Sequence, residues 1–171
     1  MSETDSRQER LQQIAKIAVA LEAQTGCPAA MLIAQWALES KWGEKPVGRF
    51  NCFGIKKADR HDKSCTVTTR EVVRGKSVVL ELEFADYDSL EDSCKDYAWL
   101  ITSAAPYHQA WTRYQRDGNL HALIAAIAGT YASDPSYASL VAAIAGQSNV
   151  SQVIADARCA RSAEKGTQVC L

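Results

Sequence analysis

The sequence predicts a mainly α-helical domain of the α+β class, with one β-hairpin inserted between helices. Apolar residues recur at helical spacing along most of the chain, whereas the stretch 66–84 alternates with a period of two. A length of 171 residues with 47% hydrophobic residues suits a single domain and is too apolar for a disordered chain.

Two helices are predicted before the hairpin. In residues 8–25 the apolar side chains fall on one helical stripe formed by Leu11, Ile14, Ile17, Ala18 and Leu21. Gly26 can end this helix, and Pro28 suits the first turn of a second helix that runs to about residue 40. Because the second helix is apolar nearly all round, we expect it to be buried on all sides. Glycines and prolines then mark an irregular loop over 43–63.

The hairpin is predicted over 66–84, where β-branched and alternating residues flank a Gly-Lys pair at 75–76. A two-residue turn at this pair fixes the register and places Arg70 opposite Glu81. In this register one face is almost wholly apolar, and Glu71 is its only charged residue.

After the hairpin the chain is predicted to be helical again. Asp88 or Ser89 can cap a helix that Pro106 ends. Apolar residues repeat at helical spacing over 120–127 and again over 137–144, which predicts two more helices.

The segment 147–171 is more polar, and we expect a tail with a short helix near 150–160 behind a domain over 8–146. A formal net charge of -1 gives no electrostatic reason to expect a nucleic-acid partner. No apolar run approaches the roughly 20 residues that span a bilayer, so membrane insertion is not expected. The N-terminus lacks the apolar core of a secretory signal.

Six cysteines are present, namely Cys27, Cys52, Cys65, Cys94, Cys159 and Cys170. Their spacing does not match a metal site, so no metal is expected. They are either buried reduced thiols or disulfides, and disulfides require an oxidising compartment, which conflicts with the missing signal. The sequence does not choose among the pairings, although Cys159 and Cys170 could staple the tail.

Glu39 is the first candidate catalytic residue, because it ends the apolar helix with Trp36 and Trp42 three residues to either side. Desolvation by the two rings and the negative end of the helix dipole both disfavour its ionised form. A general acid needs such a raised pKa at neutral pH. The alternative is a solvated carboxylate paired with a neighbouring lysine, which is also what we expect of Glu44.

Glu71 is the second candidate, as a lone carboxylate on the apolar face of the hairpin. Two carboxylates on separate elements, one of them in an apolar setting, are typical of a glycoside hydrolase. Several aromatic residues could stack on sugar rings or could belong to the core, which is the commoner role: Trp42, Phe53, Tyr131 and Tyr137.

Four motifs in order along the chain resemble one enzyme family. They are ALESKWGE at 37–44, FNCFGIK at 50–56, the segment 84–97 and YASDPSYA at 131–138. Together they are similar to the glucosaminidases of glycoside hydrolase family 73, which hydrolyse peptidoglycan. Cys52, where the family usually has an aliphatic residue, is one departure from the family pattern.

The resemblance implies a lysozyme-like fold, with a helical lobe, a small β-lobe and a cleft between them. It makes Glu39 the general acid and Glu71 the group that activates water or stabilises the oxocarbenium-like charge, while Tyr131 positions substrate or water. Attack by the substrate's own 2-acetamido group is an alternative. Asn51, Phe53 and Tyr137 resemble cleft-lining positions of the family and are predicted to bind substrate. Trp42 is added as an aromatic residue that could stack on a sugar. No metal or organic cofactor is implied.

The implied reaction is hydrolysis of the β-1,4 bond between N-acetylglucosamine and N-acetylmuramic acid in peptidoglycan glycan strands. A muramidase of the same fold and a catalytically inactive wall-binding module are alternatives. Without a signal or wall-anchoring repeats, a phage endolysin or an antibacterial effector fits. We favour an effector of the type VI secretion kind, which acts in a rival's periplasm and is blocked at the cleft by a cognate immunity protein. Arrival in an oxidising periplasm would also reconcile the cysteines with the missing signal.

Overall fold

The computed structural model describes residues 3–73, 76–132 and 134–168. Its elements follow one another as α1 Glu3–Thr25, α2 Ala29–Glu39, β1 Ser64–Val73, β2 Lys76–Ala85, α3 Leu90–Ser103, α4 His108–Asp117, α5 Leu120–Tyr131, α6 Tyr137–Ala145 and α7 Ser148–Gln168. A single turn of 3-10 helix, Ala105–Tyr107, separates α3 from α4. The predicted class, mainly helical with one antiparallel hairpin, is confirmed. No helix in the described part of the chain has the length and apolarity to cross a bilayer.

The helix α2 lies at the centre of the core. Every residue from 31 to 37 is buried, and the helix packs against α1, α3, α6 and α7. Full burial of a Leu, Ile or Met side chain stabilises a fold by about 1.5–3 kcal/mol, so this helix is firmly anchored. The buried helix predicted from the sequence is confirmed, and its last residue, Glu39, is carried to the edge of the core.

The hairpin forms, but in a register that differs from the predicted one by two residues. Arg70 pairs with Val79 rather than with Glu81, and the pairing continues to Val73 and Lys76. The two residues between this last pair are outside the described ones. A shift of two residues preserves the alternation of a strand, and the described exposed side chains still lie on one set of positions: Ser64, Thr66, Thr68, Val79, Glu81 and Glu83.

A hydrogen-bonded cluster attaches the loop before the hairpin to α3. The carboxylate of Asp96 accepts from Tyr87 Oη at 2.6 Å, from His61 Nε2 at 2.9 Å and from Arg60 Nε at 2.9 Å. Nδ1 of His61 accepts the Ala58 backbone N–H at 2.9 Å, so Nε2 carries the ring hydrogen. Burial opposes ionisation of Asp96, but the hydrogen bonds outweigh it and lower the pKa of this carboxyl.

The C-terminal segment differs from the predicted tail. It forms α7, which packs along α1 and buries four apolar residues spaced as one helical face, Val150, Val153, Ile154 and Ala157. At its surface Arg158 pairs with Glu22 of α1 at 2.6 Å. The described residues after 147 therefore belong to the same core as the rest of the domain.

The five cysteines in the described residues are free thiols. Cys27, Cys52 and Cys94 are buried, and burial raises the pKa of Cys27 to about 12 and of Cys52 to about 11. These three positions match the buried reduced thiols that the sequence left open, and the described residues support no disulfide. Cys170, the predicted partner of Cys159, lies outside the described residues.

Candidate active site

The chain turns sharply after Glu39, the last residue of α2. Lys41, Trp42 and Gly43 all have a left-handed backbone, with φ of 50°, 60° and 79°. This conformation costs a residue with a Cβ about 1–2 kcal/mol, so two such residues in a row persist only where other contacts hold them.

Ser40 and Arg10 hold this turn closed. Oγ of Ser40, which is buried, accepts the backbone N–H of Gly43 at 2.9 Å. Arg10 of α1 donates Nε–H to the carbonyl oxygen of Trp42 at 2.9 Å and pairs with Glu44 at 2.8 Å. The turn is thus tied to α1, and Glu44 is the exposed, solvated carboxylate that the sequence indicates.

The carboxyl group of Glu39 lies half-buried between α6 and the loop that carries Gly54. Tyr137 Oη donates a hydrogen bond to its Oε1 at 2.6 Å. Its Oε2 lies 3.7 Å from the point where a Cβ on Gly54 would stand, so the loop backbone passes close to this oxygen. Burial raises the pKa of Glu39, and the hydrogen bond from Tyr137, which favours the ionised form, opposes this only in part. The predicted direction of the pKa is confirmed.

Asn51 shapes the loop that faces Glu39. Its Nδ2 donates to the carbonyl oxygens of Ile55 at 2.8 Å and Ala85 at 2.9 Å, and its Oδ1 accepts the Ile55 N–H at 3.0 Å. The residue is 1% exposed, so these groups are used inside the protein. The structure therefore places Asn51 behind the loop, where it sets the path of the backbone rather than offering its side chain to a ligand.

Aromatic side chains pack behind the same loop. The ring of Phe53 is buried and stacks on Tyr97 with a centroid distance of 4.3 Å, which is the core role that the sequence left open. Tyr131 Oη donates to the carbonyl oxygen of Phe53 at 2.6 Å, and its ring stacks on Tyr137 at 5.8 Å. Tyr131 thus fixes the loop to the end of α5 and, with Tyr137, completes the surroundings of Glu39.

Trp42 lies on the side of the turn that faces α1. Its ring meets Trp36 edge to face at 6.2 Å, and the guanidinium of Arg7 lies 3.8 Å from its centroid. The Arg7 guanidinium covers one face of the indole, and the stacking of Trp42 on a sugar stays a prediction.

A groove of about 320 Å³ lies along the loop that carries Gly54. Its lining mixes polar and apolar groups, from Gly54, Ile55, Lys56, Arg60, Leu100, Tyr107, Thr130 and Tyr131. Glu39 itself does not line this groove, but Gly54, which does, passes close to its Oε2, so the groove lies on the far side of the Gly54 loop from the carboxyl's Tyr137 contact. Such a lining suits a sugar, which has apolar ring faces and polar hydroxyl edges.

Glu71 lies in β1 with its Cα opposite that of Val78. Its side chain is outside the described ones, so its place beside Glu39 stays a prediction. Among the described residues, no three His, Cys, Asp or Glu side chains come together as ligands for a metal ion.

Two residues that the sequence analysis did not select belong to the site. Nε2 of Gln35 donates to Tyr137 Oη at 2.8 Å, and Oε1 of Gln35 accepts from Tyr97 Oη. Both Gln35 and Tyr97 are fully buried. The available signal was that Gln35 is the one polar residue in the apolar stretch 29–38, since a buried polar side chain needs a partner.

The family of the chain follows from comparison with known proteins. Residues 15–150 match the sequence family described as glucosaminidase, mannosyl-glycoprotein endo-beta-N-acetylglucosaminidase. The chain belongs to this family, glycoside hydrolase family 73. The matched range contains Glu39, Tyr131, Tyr137 and the whole hairpin, so the site described above lies within the family's own domain.

Solved structures show the same glucosaminidase architecture. The catalytic domain of the autolysin Auto from Listeria monocytogenes is similar over 90% of both chains, with 28% identity and a TM-score of 0.74. A mutant peptidoglycan hydrolase from Sphingomonas sp. A1 is 30% identical, with a TM-score of 0.67, over 87% of this chain and 99% of that one. The predicted lysozyme-like fold is thereby confirmed.

Curated relatives of this glucosaminidase domain carry different names, of which one specifies the bond that is cut. A probable N-acetylmuramidase of Lactococcus lactis is 31% identical over 157 residues, which are 87% of this chain and 35% of the relative. Peptidoglycan hydrolase FlgJ of Escherichia coli K12 is 32% identical over 122 residues, 67% of this chain and 38% of the relative. The chain thus spans little more than a third of the length of these relatives.

Proposed function

We propose that this domain hydrolyses peptidoglycan at the β-1,4 bond between N-acetylglucosamine and N-acetylmuramic acid, with Glu39 as the general acid. The observation that carries the proposal is the setting of Glu39, half-buried with a raised pKa, with its Oε2 next to the Gly54 loop that lines a groove. A carboxyl in this setting keeps its proton closer to neutral pH and can deliver it to the leaving glycosidic oxygen.

The other half of the reaction needs negative charge or a nucleophile across the sugar ring, because the breaking bond leaves an oxocarbenium-like centre. We assign this part to Glu71, which activates water or stabilises that charge. The support is its place in β1, at the hairpin position where the family resemblance puts a second carboxylate. Tyr131 contributes by holding the loop of Gly54 against Glu39.

Replacement of Glu39 tests the assignment of the acid. Glu39→Gln should lower release of soluble muropeptides from purified peptidoglycan by about 100-fold to 10,000-fold, the usual contribution of a general acid. Glu9→Gln is the matched control, since it makes the same change at an exposed carboxylate of α1, and it should hydrolyse like wild type. Wild-type turnover in Glu39→Gln, with the fold intact, would remove the assignment.

The role of Glu71 needs its own pair of variants. Glu71→Ala should reduce turnover at least about tenfold, whereas Glu81→Ala, an exposed residue on the neighbouring strand, should not. Near wild-type turnover in Glu71→Ala would mean that another group, such as the substrate acetamido group, completes the reaction.

Product analysis decides which bond is cut. After reduction of the digest with borohydride, mass spectrometry should find the reduced end on N-acetylglucosamine. A reduced N-acetylmuramic acid would identify the alternative, a muramidase, as the name of the Lactococcus relative implies. Absence of any soluble product would instead favour a wall-binding module.

We also propose the biological role predicted from the sequence, an antibacterial effector that acts in a rival's periplasm and is inhibited by an immunity protein. The groove along the Gly54 loop, next to the half-buried acid, supports it, since a protein that covers this loop would block hydrolysis. In co-culture, a producing strain should kill a Gram-negative rival, and Glu39→Gln in the producer should abolish killing. Failure to kill, with hydrolysis retained in vitro, would favour another role such as that of an endolysin.

A further inference from the structure

A chain of hydrogen bonds runs from the core to Glu39. Tyr97 Oη donates to Oε1 of Gln35, Nε2 of Gln35 donates to Tyr137 Oη at 2.8 Å, and Tyr137 Oη donates to Oε1 of Glu39 at 2.6 Å. Three elements, α3, α2 and α6, each supply part of it. Gln35 and Tyr97 are 0% exposed, so water does not compete for these bonds.

The direction of this chain is fixed at Gln35. A hydroxyl has one hydrogen to give, and an amide has one accepting and one donating end. Because the hydrogen of Tyr97 goes to Oε1, the amide nitrogen faces Tyr137, and the hydrogen of Tyr137 remains available for Glu39. If the amide were reversed, its oxygen would take the hydrogen of Tyr137, and Oε1 of Glu39 would lose its donor.

The two oxygens of Glu39 are therefore not equivalent. Oε1 is occupied as an acceptor by Tyr137, whereas Oε2 lies beside the backbone of Gly54, which lines the groove. We propose that Gln35 is a positioning residue for the acid: acting through Tyr137, it keeps Oε1 as the accepting oxygen and leaves Oε2 to carry the proton towards the substrate. This inference rests on the proposed role of Glu39.

The same bonds limit how tightly Glu39 holds its proton. Burial raises its pKa, and the hydrogen bond from Tyr137 stabilises the ionised form and works against burial. From α5 and α6 the titratable groups near Glu39 are Tyr131 and Tyr137, whose own pKa values its charge helps to raise. Within the described residues Glu39 forms no ion pair. Loss of the chain should thus raise the pKa of Glu39 further.

The test combines an NMR titration with kinetics. The carboxyl carbon of Glu39 is followed by NMR in protein labelled with ¹³C at glutamate side chains, and its signal is assigned by its loss in Glu39→Gln. Gln35→Met and Tyr137→Phe should both raise the pKa of Glu39. They should also lower kcat by about tenfold or more with little change in KM, and move the basic limb of the kcat profile to higher pH.

Ile33→Val is the matched control for packing. It removes one methylene from a fully buried residue of the same helix, which costs about 0.5–1.5 kcal/mol of stability without touching the chain of hydrogen bonds. It should leave the pKa of Glu39 and the pH profile of kcat unchanged. Should Gln35→Met not fold, Tyr97→Phe, which removes a single oxygen, is expected to shift the pKa in the same direction by a smaller amount.

The outcomes separate this inference from the proposed function. An unchanged pKa of Glu39 in Tyr137→Phe and in Gln35→Met or Tyr97→Phe would overturn the positioning role, even if the wild type digests peptidoglycan. A higher pKa of Glu39 in Tyr137→Phe and Gln35→Met than in wild type, in a protein that digests nothing, would retain the hydrogen-bond chain as a device that controls Glu39, and would remove hydrolysis instead.

Discussion

Gly43→Ala is expected to lower the free energy of unfolding by about 2–5 kcal/mol. At a φ of 79°, alanine costs about 1–2 kcal/mol more than glycine. Its Cβ would also stand 2.7 Å from Cζ2 of the buried Trp36 ring and 3.3 Å from Cδ of Arg10. Overpacking of this kind costs about 1–3 kcal/mol, because a ring in a dense core has little room to move.

Gly118→Ala is the matched control for this substitution. Gly118 also has a left-handed backbone, with φ of 63°, but nothing lies within 4 Å of the Cβ it would gain. It should therefore show only the conformational cost of about 1–2 kcal/mol. Urea unfolding followed by tryptophan fluorescence measures both variants, and their difference isolates the clash with Trp36.

Activity provides the second readout, because the turn at Gly43 begins directly after Glu39. Displacement of Trp36 in Gly43→Ala should disturb the end of α2 and reduce peptidoglycan hydrolysis, while Gly118→Ala should leave hydrolysis unchanged. Equal losses of stability in the two variants, with wild-type hydrolysis in both, would refute the reasoning, since the turn would then not be held against Trp36.

Three further outcomes are expected. Gly54→Ala should lose about as much stability as Gly118→Ala, yet hydrolysis should fall about tenfold or more, because the new methyl lies 3.7 Å from Oε2 of Glu39. The raised pKa of Glu39 means that the folded state binds its proton more tightly than the unfolded state, so stability falls as pH rises above about 4.5; Glu39→Gln should raise Tm at pH 7, with the gain shrinking in acid. The lowered pKa of Asp96 affects stability in the opposite direction, since ionised Asp96 stabilises the fold above about pH 3.8 and this stabilisation is lost on acidification. Acid unfolding should therefore depend less steeply on pH in Asp96→Asn than in wild type.

The hairpin illustrates what periodicity can and cannot predict. Alternation of residues predicted the strands and the separation of their two faces, because it depends only on the pleat. The register depended on the choice of the Gly-Lys pair as the turn, and the structure pairs Val73 with Lys76 instead. Shifts of two residues keep every side chain on its face, so hydrophobic patterning cannot distinguish them.

The helix α4 was not predicted and α7 was predicted too short, because polar residues surround their few apolar ones. In α4 only Trp111 is buried and the sequence is strongly polar, so few apolar residues mark the helix. In α7 the core residues follow helical spacing from Val150 to Ala157, which predicted a short helix near 150–160, but the polar residues around them suggested a tail rather than a long helix packed on the core. Contact with α1 buries this stripe, and such a contact between distant segments is not encoded locally.

The part of the site that could be predicted is the residue whose chemistry does not fit its apolar surroundings. Glu39 stood out as a carboxylate at the end of an apolar helix, and the structure gives it the raised pKa expected there. The resemblance selected Asn51 and Phe53 by motif position, and a motif does not distinguish residues that touch a ligand from residues that shape a loop. Both are buried and act through the backbone near Gly54.

The two polar side chains of α2 are Gln35 and Glu39. Neither helps the helix to pack, because a buried polar group needs a hydrogen-bond partner and an apolar residue in its place would not. Both are retained one helical turn apart, and Tyr137 joins them. The turn that follows adds left-handed strain, which contacts from Ser40 and Arg10 hold in place. Buried polar groups and backbone strain thus occur together at one end of this buried helix. A site for proton transfer requires such a setting, because a rigid apolar support keeps the acid poorly solvated and fixed in direction.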